Sequence, residues 1–257
     1  MQPFLPVFMA LLLGHLLADF PLQSGWIIRN KGRKISALLL HGAMHYLLMW
    51  ACLAFAGHVL FFSLWNETIL VSCVALHLAI DRLKSFLTAR RIVPDRGWTF
   101  LADQCLHLGV LVLAALLIAR THLAELLHAM RISSAARMLI LETAAIYIGV
   151  VFGGGYLIRY LTRGLAADVA AQPSPQLGNA GLYIGWLERA LVITAMVMQS
   201  PALVGLILTG KSIARFPEFR EVRFAEYFLI GTLLSFSLSV FGGVVLLHLL
   251  YGTISLR

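Results

Sequence analysis

Four pairs of ionisable side chains interrupt the apolar N-terminal half of the sequence. Each pair is spaced i, i+4, which puts both side chains on one face of a helix, one turn apart. Imidazole nitrogen and carboxylate oxygen are ligands of zinc and related divalent metals. We therefore predict a divalent metal site, most simply zinc with one or two ions. Its ligands are His15 and Asp19, His41 and His45, His77 and Asp81, and Asp103 and His107. We call these eight residues the His/Asp cluster.

The spacing of the His/Asp cluster repeats along the chain. His15 and His77 are 62 residues apart, and the same offset relates the other three positions of the first two pairs to those of the last two. This register predicts an old duplication of a helical hairpin, with both copies in the same orientation. Four helices could then direct their pairs into one bundle, as metal-binding bundles do. The alternative interpretation is a buried, hydrogen-bonded polar network without metal, with some members only supporting true ligands.

Four side chains, one of them from the His/Asp cluster, are candidates for catalysis or substrate binding. Asp103 is the position where the two copies differ, since His41 is its counterpart, and we assign it a catalytic role. Lys84 lies one turn beyond Asp81 and could stabilise an oxyanion; it could equally be a lysine reaching the membrane surface. Lys211 and Arg215 are also spaced i, i+4 and could bind an anionic head group, or simply anchor a helix end.

The composition identifies the class of protein. Of the 257 residues, 60% are hydrophobic and 12% are charged, and the mean hydropathy is +0.86. Soluble domains carry about 25% charged residues, so a soluble enzyme is excluded and a polytopic helical membrane protein is predicted. The net charge of +8 fits basic connectors that hold cytoplasmic helix ends. It does not indicate nucleic-acid binding, because no basic face with interleaved aromatic residues is present.

Apolar runs predict about seven spans in an all-α fold, at 4–22, 37–63, 68–88, 99–119, 138–158, 183–209 and 225–250. The first and third connectors are basic, so they are expected in the cytoplasm, and all eight cluster residues in the cytoplasmic half of the bilayer. The run 183–209 is either one long span or a re-entrant hairpin divided at Ser200-Pro201. We expect a metal-site domain at 1–130 and a C-terminal helical region at 131–257, with a linker near 164–181.

The motif set resembles one known family. The run HLLADFPLQ from His15 to Gln23, followed by Trp26 and the remaining pairs, is similar to the bacterial membrane family named domain of unknown function 3307. The resemblance covers roughly residues 5–120, and stretches at 211–216 and 226–232 resemble the C-terminal half of longer members. It implies a multi-pass protein of the bacterial inner membrane and supplies no activity.

Three functions remain open on the sequence alone. The first is a metal-dependent hydrolase that acts on a lipid-like or anionic substrate at the cytoplasmic leaflet. The second is a transporter of divalent cations or protons, because intramembrane His and Asp side chains also form ion pathways. The third is a di-iron membrane oxidase, which the single HxxxH motif supports poorly. The oligomeric state is left open, and the lipid bilayer is the partner that the composition predicts.

Overall fold

The computed structural model describes residues 4–56, 63–119, 136–165 and 180–252, which form helices and no strand. The chain divides into two compact units, Met1–Ala145 and Ile146–Arg257. The helices are α1 Phe4–Asp19, α2 Gly25–Asn30, α3 Ile35–Phe55, α4 Leu64–Ala89, α5 Gly97–Ala119, α6 Ala136–Ile148, α7 Gly154–Leu161, α8 Ala180–Val197, α9 Pro201–Ala214 and α10 Val222–Tyr251, with a π-helical segment Gly149–Gly153 and a 3₁₀ turn Phe216–Arg220. The predicted all-α class is confirmed.

The distribution of apolar side chains is that of a membrane protein. Four stretches of the described residues are long and apolar enough to cross a bilayer: Ile35–Phe55, Gly97–Ala119, Arg137–Leu161 and Val222–Tyr251. On α3 the two histidines are buried while Leu39 and Leu47 are exposed, the reverse of a helix that faces water. Helix α4 has 26 residues but is not among the four, so the count of about seven spans stays a prediction.

Four helices of the first unit form a closed ring. Helix α1 packs against α3 and α5, and α4 packs against the same two helices. Close approach of α1 and α3 depends on Gly14, because a Cβ atom at this position would lie 2.6 Å from the Met49 Cα atom. The two hairpins α1/α3 and α4/α5 therefore occupy equivalent places in the ring. Their origin by duplication stays a prediction.

A short helix that the sequence interpretation did not include begins the first connector. Helix α2 starts after Ser24, whose Oγ accepts a hydrogen bond from the Ile27 backbone N–H at 3.3 Å; serine is a preferred residue at this cap position. The helix ends at Asn30, and Lys31 is its C-terminal cap residue. This turn of helix directs the Lys31 side chain back toward the ring of α1, α3, α4 and α5.

The structure divides the predicted span 183–209. Helix α8 ends at Val197 and α9 begins at Pro201, and Gln199 between them has a positive φ of 54°. Proline at the first position of α9 lacks the N–H that a continuous helix would require. The two helices lie antiparallel, because Lys211 of α9 forms an ion pair with Glu188 of α8. The run is therefore divided into a helical hairpin, and the re-entrant placement of this hairpin in the membrane stays a prediction.

The predicted domain limits cannot all be compared with the structure. The limit at 130/131, most of the linker 164–181 and the end of the predicted span 37–63 lie outside the described residues. The division between the compact units falls after Ala145, within α6. The two-domain organisation with a linker stays a prediction.

Candidate metal centre

All eight members of the His/Asp cluster point into the ring of α1, α3, α4 and α5. The five histidines are 0–3% exposed, and Asp81 and Asp103 are both 7% exposed. Four of the imidazoles form a layer across the bundle: the His77 ring centroid lies 3.9 Å from that of His45, 4.1 Å from that of His107 and 5.2 Å from that of His15. Because i, i+4 spacing keeps each pair on one helix face, all four helices contribute to one site.

The first group of candidate ligands contains four residues. His15, Asp19, His45 and His77 each offer one ligand atom, and these atoms lie within 4.8 Å of one another. The Asp19 Oδ1 atom is 3.1 Å from His45 Nε2 and 3.7 Å from His77 Nε2. Ligand atoms around tetrahedral zinc, with bonds of about 2.0–2.1 Å, are about 3.4 Å apart. These four residues, the four-ligand group, could therefore hold one ion with small shifts of their side chains.

A second set contains three ligands. Asp81, Asp103 and His107 also have ligand atoms within 4.8 Å of one another. His107 Nε2 lies 3.7 Å from Asp81 Oδ1 and 3.6 Å from Asp103 Oδ1, too far for hydrogen bonds. Three protein ligands leave a coordination position for water or substrate, as in catalytic zinc sites. We call these residues the three-ligand group.

His41 lies between the two groups. Its Nε2 atom is 3.1 Å from Asp19 Oδ1 and 3.3 Å from Asp81 Oδ2. The Nε2 atoms of His45 and His77 are at 3.3 Å and 3.4 Å from the same nitrogen. One imidazole nitrogen either donates one hydrogen or accepts one, so hydrogen bonds alone cannot satisfy these contacts. The crowding is that of ligands gathered around a cation.

Several buried atoms of the His/Asp cluster have no hydrogen-bond partner among the described residues. They include both ring nitrogens of His107, the Oδ1 atom of Asp103, and the Nδ1 atoms of His15 and His45. A buried polar atom without a partner costs about 1–3 kcal/mol. A closed hydrogen-bonded network would have satisfied these atoms, whereas coordination of a metal satisfies imidazole nitrogen and carboxylate oxygen directly. The donor set therefore fits a divalent ion better than the alternative network.

Two lysines neutralise part of the cluster. Lys31 Nζ donates to Asp81 Oδ2 at 2.6 Å, and Lys84 Nζ donates to Asp103 Oδ2 at 2.9 Å. Burial alone would lower the pKa of Lys31, but the carboxylates of Asp81 and Asp19 outweigh it and raise that pKa. With neutral histidines, three carboxylates and two ammonium groups leave one negative charge. One divalent ion and one hydroxide balance this charge.

Lys31 is the member of the site that sequence reasoning missed. In the sequence it is one of several basic residues in the first connector. Without the two ammonium groups, the three carboxylates would balance two divalent ions and one hydroxide, so Lys31 and Lys84 lower the number of ions that the cluster can neutralise. Its position in the connector that follows α1, on the same side of the bundle as Asp19, is the sequence feature that could have indicated a role in the site. Gln23 also contributes: its amide oxygen accepts from Lys31 Nζ at 3.0 Å, and its nitrogen donates to the Asp19 backbone carbonyl at 3.2 Å.

The other predicted site residues occupy two environments. Lys84 lies at the edge of the three-ligand group and is 28% exposed, so it can reach a molecule that approaches Asp103. Lys211 and Arg215 lie on α9 and at its end, in the second compact unit. The Lys211 Nζ atom contacts Glu188 and lies 5.4 Å from the centroid of the Phe228 ring. Substrate binding by Lys211 and Arg215 stays a prediction.

Comparison with known proteins identifies one family. No curated protein and no solved structure matches the chain. The family model described as "Protein of unknown function (DUF3307)" matches residues 7–135, half of the chain. The matched segment contains the whole His/Asp cluster, together with Lys31 and Lys84, and it agrees with the resemblance seen in the sequence motifs. The chain therefore belongs to the DUF3307 family.

Proposed function

We propose that this chain is a membrane-embedded, metal-dependent hydrolase of the bacterial inner membrane. In this proposal the chain crosses the membrane about seven times, and its substrate is a lipid-like or anionic molecule at the cytoplasmic leaflet. One observation supports this proposal most strongly: a closed four-ligand group stands beside a three-ligand group that leaves a coordination position for water. An open coordination position, at which a metal ion can activate water, is what hydrolytic metal centres require.

The residues of the three-ligand group divide the chemistry between them. Asp81, Asp103 and His107 would hold a divalent ion, which supplies a water activated for attack on a phosphoryl or acyl centre. Lys84 Nζ, now 2.9 Å from Asp103 Oδ2, is placed to donate to an oxyanion that develops beside that ion. Coordination of Asp103 would weaken its pair with Lys84 and release the ammonium group for this role. Gln104 Nε2, 3.3 Å from the same carboxylate oxygen, keeps Asp103 oriented.

The core beyond the histidine layer favours hydrolysis over transport. Moving away from the aspartates along each helix, the next buried residues are apolar. They include Leu13 and Leu11 on α1, Met49 on α3, Val74, Cys73 and Leu70 on α4, and Leu111 on α5. A cation or proton pathway needs polar groups or water through the whole bundle. Among the described residues of α1, α3, α4 and α5, Asn66 at the far end of α4 is the one buried polar side chain on this side of the histidine layer.

Hydrolysis by the full chain in detergent tests the proposal. The chain is loaded with zinc and assayed with p-nitrophenyl phosphate and p-nitrophenyl acetate. Asp103→Asn removes a charge with almost no change in volume, so it should lower the rate roughly a hundredfold. Asp95→Asn, in the connector between α4 and α5, is the matched control and should retain full activity. A zinc-loaded chain that hydrolyses neither ester, or an Asp103→Asn variant with full metal content and full activity, would contradict the proposal.

A further inference from the structure

A third group of candidate ligands lies between the two groups already described. His41, His77 and Asp81 each offer one ligand atom to it. The Asp81 Oδ2 atom is 3.3 Å from His41 Nε2 and 3.7 Å from His77 Nε2, and the two nitrogens are 3.4 Å apart. A triangle with these sides has a centre about 2.0 Å from each corner, which is the length of a bond from zinc to nitrogen or oxygen. We call these three residues the middle group.

The ammonium group of Lys31 lies close to the centre of the middle group. Its Nζ atom is 2.6 Å from Asp81 Oδ2 and 3.4 Å from His41 Nε2. Every position that satisfies both distances lies within about 3.7 Å of that centre, where the ammonium charge repels a divalent ion. Lysine has donors and no acceptor, so it uses the lone pairs on which a metal ion would depend. The side chain therefore competes with a metal ion for two of the three ligands.

The connector between α1 and α3 fixes Lys31 in this position. Its backbone caps α2, and its Nζ atom donates to the amide oxygen of Gln23 at 3.0 Å. The next residue, Gly32, is held against α4, because its carbonyl accepts from Arg82 and a Cβ atom there would lie 3.2 Å from the Ser85 side chain. The Lys31 side chain is 19% exposed, so the bundle covers most of it. The ammonium group is therefore a fixed part of the site.

We propose that the middle group is a further divalent-metal site, and that Lys31 takes the place of the metal ion there. Asp81 presents one oxygen to each side: Oδ1 lies 3.7 Å from His107 Nε2 of the three-ligand group, and Oδ2 belongs to the middle group. A carboxylate shared in this way would hold two ions at the spacing of two-metal centres, about 3.5–4 Å. With Lys31 in place, its ammonium group supplies the positive charge of the second ion. This inference rests on the proposed metal centre and does not require hydrolysis.

The number of zinc ions bound by the full chain in mild detergent tests the assignment. The chain is freed of metal with a chelator, dialysed to equilibrium against buffered zinc and analysed by inductively coupled plasma mass spectrometry. Lys31→Ala removes the ammonium group and keeps all three ligands, so it should bind one more zinc ion per chain than the wild type does. Lys34→Ala removes an exposed lysine of the same connector and should bind the wild-type number. If circular dichroism shows that Lys31→Ala does not fold, Lys31→Met, which keeps most of the side-chain volume, replaces it.

A double variant locates the additional ion. His41 belongs to the middle group and to neither of the other two groups, so the chain with both Lys31→Ala and His41→Ala should return to the wild-type number of ions. An additional ion that persists in this double variant would overturn the inference. Equal numbers in the wild type and in a folded Lys31→Ala chain, with metal bound by both, would overturn it as well and leave the metal centre intact. A wild-type chain that binds no metal would instead contradict the metal centre on which the inference rests.

Discussion

Replacement of Gly14 by alanine tests whether the close contact of α1 and α3 sets the geometry of the metal centre. The new Cβ atom would lie 2.6 Å from Met49 Cα, whereas ordinary contact begins at 3.4 Å, so the helices must separate by about 0.8 Å. The three nearest atoms, which are Cα and N of Met49 and the carbonyl carbon of Leu48, all belong to the backbone, so no flexible side chain can move aside. His15, the next residue, would shift with its helix. Metal–ligand distances tolerate about 0.2 Å, so the four-ligand group should lose affinity at least tenfold, about 1.4 kcal/mol.

Gly109→Ala is the matched control for this substitution. A Cβ atom on Gly109 would meet nothing within 4 Å, and alanine favours a helix over glycine by about 1 kcal/mol. We expect Gly109→Ala to raise the melting temperature and keep metal affinity, while overpacking in Gly14→Ala costs about 1–3 kcal/mol. Competition with a zinc-binding dye in detergent measures the affinity, and circular dichroism measures the melting temperature. A Gly14→Ala chain with wild-type zinc affinity would refute the link between helix contact and ligand geometry.

Two further predictions concern charge and helix pairing. Lys31→Met removes the ammonium group that is 2.6 Å from Asp81 Oδ2; because that charge repels a divalent ion, zinc affinity should rise about tenfold. Competition with the zinc-binding dye measures this affinity. Lys34→Met, at an exposed position, is the control. Weaker zinc binding by Lys31→Met would contradict the prediction and show that Lys31 helps to hold the ion. Tyr46→Phe removes the 2.7 Å hydrogen bond that joins α3 to Glu67 of α4, so the free energy of unfolding should fall by about 1 kcal/mol. An unchanged melting temperature would contradict that contribution.

The helical class and the convergence of the eight His/Asp side chains could be predicted because both depend on local patterns. Apolar runs long enough to cross a bilayer define helices without knowledge of their neighbours. The i, i+4 spacing of each pair fixes which face of its helix is polar, and a polar face in an apolar helix is directed toward other helices. The structure accordingly brings all eight residues, from His15 to His107, into one bundle.

The features that the sequence did not reveal depend on contacts between distant residues. Lys31 reaches Asp81, 50 positions away, only because α2 turns the connector toward the bundle. Arg189 is a mid-helix residue like any other until the π-helical segment presents the Val151 carbonyl to it. The break in 183–209 was one of two alternatives, and a single Ser-Pro step does not decide between a kink and a hairpin. The Lys211–Glu188 pair across α8 and α9 identifies the hairpin.

Metal content measured on the purified full chain tests the central claim most directly. The wild-type chain is extracted in mild detergent without chelators, and its bound metals are quantified by inductively coupled plasma mass spectrometry. The account predicts at least one divalent ion per chain, most simply zinc, and loss of most of that metal in His77→Ala, since His77 belongs to the four-ligand group and also contacts His41. A wild-type chain that contains no divalent metal, and takes up none when zinc, manganese or iron is added, would contradict it.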